Sequence, residues 1–347
     1  MNGRPTMRPL RTVLPALLAL LLLAGCAAGE NADGTVAGDS GGGAAAVRLD
    51  YAYYNPESLV IREQGWLEQE LGRDNVEWVL SQGSNKANEN LRAGVIDVGS
   101  TAGTPALLAR ANGSPIRSID VYSRPEWSAI VVPAGSAITD PAQLRGRKVA
   151  VTQGTDPYFF LVQTLARAGL DRDDVEIVNL QHSDGRTALE RGDVDAWAGL
   201  DPFMAQSELS VGSRLVYRNL DFNSYGLLNA TESFLERDPD TAAVVVRAYE
   251  RARAWIAENP DEAVATLARA ASIDPAVARK QLTERTRLDI DPVPGPDQRA
   301  VLERLLPILV SENLVRSESD ARTALDTLFE PRFAEQAAGT RSDGSRL

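Results

Sequence analysis

Apolar and polar residues alternate over 47–54 (VRLDYAYY), a strand pattern. Apolar positions then recur at helical spacing over 56–71 (PESLVIREQGWLEQEL), with Pro56 in the first turn. The same grammar repeats. Strands are predicted at 76–82, 95–101, 116–122 and 128–133. A helix is predicted over 84–94, capped by Ser84 and stopped by Gly94, and another over 104–113, with Thr104 as cap and Pro105 at its first position. A second unit follows: Asp140 capping a turn begun by Pro141, a strand over KVAVT, a Gly154 turn, then Thr155 and Asp156 before a helix at 157–168. Strands at 175–180, 194–200 and 213–219 enclose helices at 184–193 and 201–209, and 225–234 reads as a crossover. Strand–helix alternation of this kind predicts an α/β fold with largely parallel sheets. From 238 to 330 the pattern is amphipathic helix with charge on the outer face, which implies packing without chemistry. Residues 336–347 read as a disordered tail.

Of the 347 residues 44% are hydrophobic and 24% charged, which suits two globular domains and excludes wholesale disorder. The formal charge of −12 argues against nucleic acid, which needs a basic footprint, and against adhesion to anionic lipid. The first residues change the picture. Arg8 and Arg11 precede an apolar run from Val13 to Leu23, shorter than the roughly 20 residues a spanning helix needs. The run fits a signal peptide over 1–25, starting at Met1 or Met7. Leu23-Ala24-Gly25-Cys26 resembles the bacterial lipobox, and that resemblance implies lipid attachment to Cys26 and anchoring to the cell membrane. Cys26 is the chain's one cysteine, so no intrachain disulfide can form. Residues 26–46, rich in Gly and Ala, read as a flexible tether.

Three stretches, AGVIDVGSTAGTPALLARANGSPIRSI, SAIVVPAGSAITDPAQLRGRKVAVTQGTDPYFFLVQTLARAGL and ALERGDVDAWAGLDPFMAQSE, resemble the substrate-binding lipoproteins of bacterial ABC importers. Within that group they are most similar to the aliphatic sulfonate, taurine and nitrate binders. The resemblance covers roughly 49 to 335. It implies a two-lobed type II periplasmic-binding fold, with lobe 1 at 47–131 and 228–335 and lobe 2 at 132–227. It also implies hinge crossovers near IVVP and YGLLN, and as partners a small organic anion, a permease and its ATPase.

The residues themselves suggest the same site. Strand, small-residue turn, hydroxyl and helix recur at Gly83-Ser84-Asn85, at Thr101-Ala102-Gly103-Thr104 and at Gly154-Thr155-Asp156. Helix N-termini at strand ends offer free N–H groups to an oxyanion, and glycine admits close approach. Any one of these alone reads equally well as a plain cap. Tyr54, Asn55, Trp127 and Tyr158 are candidate walls for an organic tail, whereas Phe159 reads as core. Arg186 could bond a sulfonate directly or sit in solvent. Asp201 could cap a helix or meet an amine on a zwitterion. Asp156, a carboxylate at an expected anion site, should turn away or meet a cationic part of the ligand. Organosulfonate is preferred over nitrate because of the aromatics, and a thiamine-precursor pyrimidine remains an alternative.

Catalytic signatures are lacking: no G-x-S-x-G, Walker A, H-E-x-x-H or C-x-x-C occurs. His182 is the only histidine and reads as exposed or at the cleft rim, so no His cluster can hold a metal. The expectation is a monomeric binding protein without cofactor. An enzyme or sensor domain on the same fold is the rival class.

Overall fold

The computed structural model describes residues 46–342; the predicted leader, Cys26, nearly all of the tether and residues 343–347 of the predicted tail lie outside them. β1 (Val47–Tyr51) leads into α1 (Pro56–Gln64) and α2 (Trp66–Leu71). One helix is predicted over this stretch. It breaks because Gly65, at φ 63°, takes the left-handed conformation that caps α1. There follow β2 (Val76–Leu80), α3 (Ser84–Arg92), β3 (Val98–Ala102), α4 (Gly103–Ala111), β4 (Ile116–Ser123) and β5 (Ser128–Val132). Next come β6 (Lys148–Val151), α5 (Asp156–Arg167), β7 (Glu176–Asn179), α6 (His182–Arg191), β8 (Ala196–Leu200), α7 (Phe203–Val211), β9 (Arg214–Arg218) and β10 (Gly226–Thr231). The rest is helical: α8 (Glu232–Arg237), α9 (Pro239–Glu258), α10 (Pro260–Ala271), α11 (Pro275–Lys280), α12 (Pro296–Glu303), α13 (Leu306–Ser311), α14 (Glu318–Asp326) and α15 (Arg332–Ser342).

Two five-stranded sheets form, ordered β2-β1-β3-β10-β4 and β7-β6-β8-β5-β9. β1 pairs in parallel with β2 and β3, and β6 with β7 and β8. One strand in each sheet is antiparallel to both neighbours: β10 in the first, β5 in the second. These are the two strands that enter from the opposite lobe. A strand that begins at the junction of the lobes runs away from it, while the resident strands end there. The sheets are therefore mixed, each with a single reversed strand.

β5 and β10 also move the expected lobe limits. Val131 pairs with Trp197 and Leu215, so β5 belongs wholly to lobe 2, and the chain crosses at 124–127 rather than at 131. β10 pairs with β3 from Gly226 onward, just before the expected limit at 227. Apolar continuity cannot reveal which sheet a buried strand joins. The predicted tail is corrected as well: α15 runs through 336–342, because Phe333, Ala334 and Ala337 share one face and bury against β4 and α9. One apolar cluster runs from α4 through α5 and β5 to α12–α14, and so spans both sheets. A second lies under lobe 1, and a third surrounds Trp197 and Met204 on the other face of the lobe 2 sheet.

Lobe 1 also buries the carboxyl groups of Asp50, Glu57, Asp120 and Glu250. Arg253 donates to Glu250 and to the carbonyls of Val121, Tyr122 and Leu288. Desolvation pushes Asp50 and Glu57 each up to about 7. Their folded pKa values thus exceed the unfolded ones, so the native state binds more protons and stability falls as pH rises between about 4 and 7. Each group contributes up to about 1.4 kcal/mol per pH unit in that window. Calorimetry should show a melting temperature that climbs from pH 8 to pH 5.5, with the slope reduced in the D50N/E57Q protein. A flat or rising profile toward pH 8 would contradict this ionisation.

Candidate ligand-binding cleft

The resident strands of both sheets end at one cleft, and helices start there from both sides: α3 and α4 from lobe 1, and α5, α6 and α7 from lobe 2. In all five, the residue at the cap position makes no side-chain cap hydrogen bond. Elsewhere Asn55, Thr231, Asp238 and Ser317 cap α1, α8, α9 and α14 in the ordinary way. The expected caps are therefore corrected. Gly83, not Ser84, stands at the cap of α3, and the Ser84 hydroxyl accepts from Ala102 N at 2.9 Å. Ala102, not Thr104, precedes α4. Thr155 does precede α5, but its hydroxyl donates to Thr152 O at 2.6 Å. The hydroxyls are turned onto neighbouring strands and turns, which leaves the positive ends of α3, α5 and α6 directed at the cleft, while the first N–H groups of α4 and α7 are taken within the protein.

A cavity of about 200 Å³ lies between the lobes, lined by Tyr53, Tyr54, Leu80, Ser81 and Gln82 from lobe 1 and by Gln181, His182, Ser183, Leu200, Asp201, Pro202 and Phe203 from lobe 2. A narrow extension is bounded by Tyr54, Ser84, Ala102, Trp127, Thr155, Asp156, Pro157, His182 and Leu200. The lobes meet closely here. A methyl at Gly83 would stand 2.8 Å from both His182 Nε2 and Asn85 Oδ1. Tyr54 and Trp127 pack edge to face at 5.9 Å, and the Tyr54 hydroxyl donates to Ser100 O.

Asp156 neither turns away nor stands free. Its buried carboxylate accepts from Trp127 Nε1 at 3.0 Å and from Ser224 N and Oγ at 2.7 Å each. Trp127 and Ser224 lie in the two crossover segments, so Asp156 fastens both to the start of α5. Burial raises its pKa, and these donors pull it back. Asp201 is likewise engaged: both its oxygens accept from Arg285 Nη1, at 2.9 and 3.1 Å, and Oδ1 accepts from Ala205 N. Arg285 also reaches Glu208. Neither carboxylate is left for an amine on a ligand.

Several other candidates lie elsewhere. Asn55 caps α1 and donates to the Tyr249 hydroxyl. Thr101 accepts from Asn229. Gly103 N donates to Tyr225 O, and Thr104 N to Ser224 Oγ. Gly154 and Asn85 approach each other across the lobes and border an outer groove along α3 and α4. Tyr158 points the opposite way from the cleft, its hydroxyl donating to Glu312 at 2.7 Å, and Phe159 is core as expected. Arg186 folds along α6 toward Glu190 at 3.8 Å. A larger groove of about 660 Å³ lies at the far end of α4, where Arg110 is held by Ile116 O, Thr327 and Glu232.

His182 is the residue that sequence reasoning misplaced. It opens α6 rather than lying in a loop, and it is 1% exposed rather than at the rim. Its position after strand β7 repeats the strand-then-helix-start device, but Gln181-His182 lacks the small residues that mark the other copies. Arg285 and Ser224 carried no local signal at all.

The family described as NMT1/THI5 like matches residues 59–263. A putative aliphatic sulfonates-binding protein of Escherichia coli K12 is 27% identical over 279 residues, 80% of this chain and 87% of that protein. The alkanesulfonate-binding protein SsuA of Xanthomonas axonopodis pv. citri, solved bound to MOPS, superposes with TM-score 0.73 at 23% identity, covering 81% of this chain and 97% of that one. The periplasmic nitrate-binding protein NrtA of Synechocystis PCC 6803 reaches the same TM-score at 14% identity, over 85% and 88% of the two chains. Shared fold therefore does not separate sulfonate from nitrate.

Proposed function

Starting from the fact that the chain belongs to the NMT1/THI5-like family, we propose that it is the extracytoplasmic solute-binding component of an ABC importer and captures a small organic anion, an aliphatic sulfonate or taurine-like compound, between its lobes. One observation carries the reading: α3, α5 and α6 start at the inter-lobe cleft without a side-chain cap, whereas the first N–H groups of α4 are taken by Tyr225 O and Ser224 Oγ and the start of α7 by Asp201. Such starts hold an oxyanion through backbone N–H groups and helix dipoles, with no free cation required. The −12 charge of the chain is thus no obstacle. Tyr54, Leu80, Leu200 and Phe203 offer an alkyl group apolar walls, which a bare nitrate would not use. The sulfonate-binding relative supports the ligand class.

Closure of the lobes over the ligand forms the surface the permease reads, and the partner ATPase supplies the energy. The protein acts as a monomer. Leu23-Ala24-Gly25-Cys26 supports an anchor at Cys26, and C26S should release the protein from membranes in a fractionation experiment.

Thermal melts with alkanesulfonates, taurine, nitrate and pyrimidines test the ligand class. Ligand at 100 times its Kd adds about 2.7 kcal/mol, which is about 4–5 °C for a protein of this size. A sulfonate should produce that rise. If nitrate alone does, the chain is a nitrate binder. Chromatography of the recovered sulfonate should return it unchanged, and a product peak would make the protein an enzyme.

A further inference from the structure

The His182 ring is buried, and one of its nitrogens is accounted for. Nδ1 lies 3.1 Å from Thr152 Oγ1, whose own proton is committed to Leu180 O at 2.7 Å. A hydroxyl that donates elsewhere can only accept from the ring, so Nδ1 carries the proton and Nε2 is a bare lone pair. Nε2 has no partner in the protein. It is buried against Gly83 where the lobes meet, and His182 borders the cavity beside Tyr54, Gln181, Ser183 and Leu200. Three of the donors nearby are spent: Trp127 Nε1 on Asp156, the Tyr54 hydroxyl on Ser100 O, and Arg285 on Asp201 and Glu208; the neighbouring Asn85 presents its Oδ1, an acceptor that also has no partner. Desolvation pushes the imidazole pKa down to about 3, so the ring cannot turn itself into a donor at neutral pH.

We infer that the anion bound in this cleft also carries an N–H or O–H group, which donates to His182 Nε2 and makes His182 a specificity-determining residue. The inference rests on the sulfonate reading and narrows it. A buried acceptor left unpaired costs as much as a lost hydrogen bond, so the site favours a ligand that fills it. The sulfonate lies on helix starts, and the donor reaches the imidazole.

Three probes of one size separate the outcomes by calorimetry: ethanesulfonate, 2-hydroxyethanesulfonate and 2-aminoethanesulfonate. At least one of the two donor-bearing compounds should bind tenfold or more tighter than ethanesulfonate. Equal or tighter binding of ethanesulfonate overturns the inference while leaving the sulfonate reading intact. If no alkanesulfonate binds, the sulfonate reading itself fails and takes the inference with it. In H182F, which keeps a planar ring without the acceptor, the preference should fall to near one. Should that variant not fold, nitrogen-detected NMR of the unaltered protein decides, since the chain has a single histidine. The free protein should show Nδ1–H with bare Nε2, and the Nε2 signal should move with the donor-bearing ligand. A proton on Nε2 overturns the inference.

Discussion

Replacing Arg285 with methionine is expected to destabilise the protein by about 3–5 kcal/mol, the usual consequence of leaving one member of a buried ion pair without its partner. Arg285 and Asp201 both have side chains 2% exposed, and Nη1 lies 2.9 and 3.1 Å from the two carboxylate oxygens. The pair joins parts of the chain that belong to different lobes. Arg285 follows α11, which is tied to lobe 1 where Gln281 donates to Tyr53 O. Asp201 and Glu208 stand at the end of β8 and on α7 in lobe 2. Without the guanidinium, Asp201 keeps only the Ala205 N–H, and Glu208 loses its contact too. Differential scanning calorimetry should record a drop of about 5–8 °C. The double variant D201N/R285M should recover much of it, because the stranded charge is gone. A single variant that melts within 2 °C of the parent would show that the pair contributes nothing across the lobes.

Replacing Gly83 with valine is expected to weaken ligand binding by roughly one to two orders of magnitude, the free-energy equivalent of the 1–3 kcal/mol that overpacking costs. Gly83 has φ 173°, an extended backbone open to any residue, so the substitution brings no local strain. What it brings is bulk at the meeting point of the lobes. The new Cβ would lie 2.8 Å from His182 Nε2 and Asn85 Oδ1, and His182 is held in place by Thr152. Asn85, in the same lobe, can swing its amide aside, and the cheapest relief of the His182 contact is for the lobes to part. Ligand affinity should therefore fall while the ligand-free melting temperature changes little, and small-angle scattering with ligand should show a larger radius of gyration than the parent. Unchanged affinity would mean that the ligand does not require these lobes to close at Gly83.

Much of the architecture was legible in the pattern of the chain. The order of strands and helices from residue 47 to about 220 and the helical C-terminal third follow from periods of two and 3.6 residues and from Pro and Gly at helix ends, and the two-lobed arrangement from the resemblance to importer components. The resemblance to importer components placed the helix starts at the cleft. The detail at those starts was not legible. A serine or threonine before a helix reads as that helix's cap, yet Ser84 serves Ala102 and Thr155 serves Thr152. Tyr158 needed only the wrong rotational phase of α5 to be put in the cleft; its hydroxyl sits on Glu312 instead.

The sequence by itself determined the elements, their order and the places where the chain must turn, because those depend on neighbours within a few positions. Tertiary structure alone decided which polar groups remain free. Asp156 meets Trp127 and Ser224, and Asp201 meets Arg285, across separations of 29, 68 and 84 residues. These contacts form only when both lobes are assembled, and each one converts an apparent ligand-binding carboxylate into a fastening between parts of the fold. Burial works the other way on His182: it leaves Nε2 without a partner in the protein, which is the ground for assigning it a donor on the ligand.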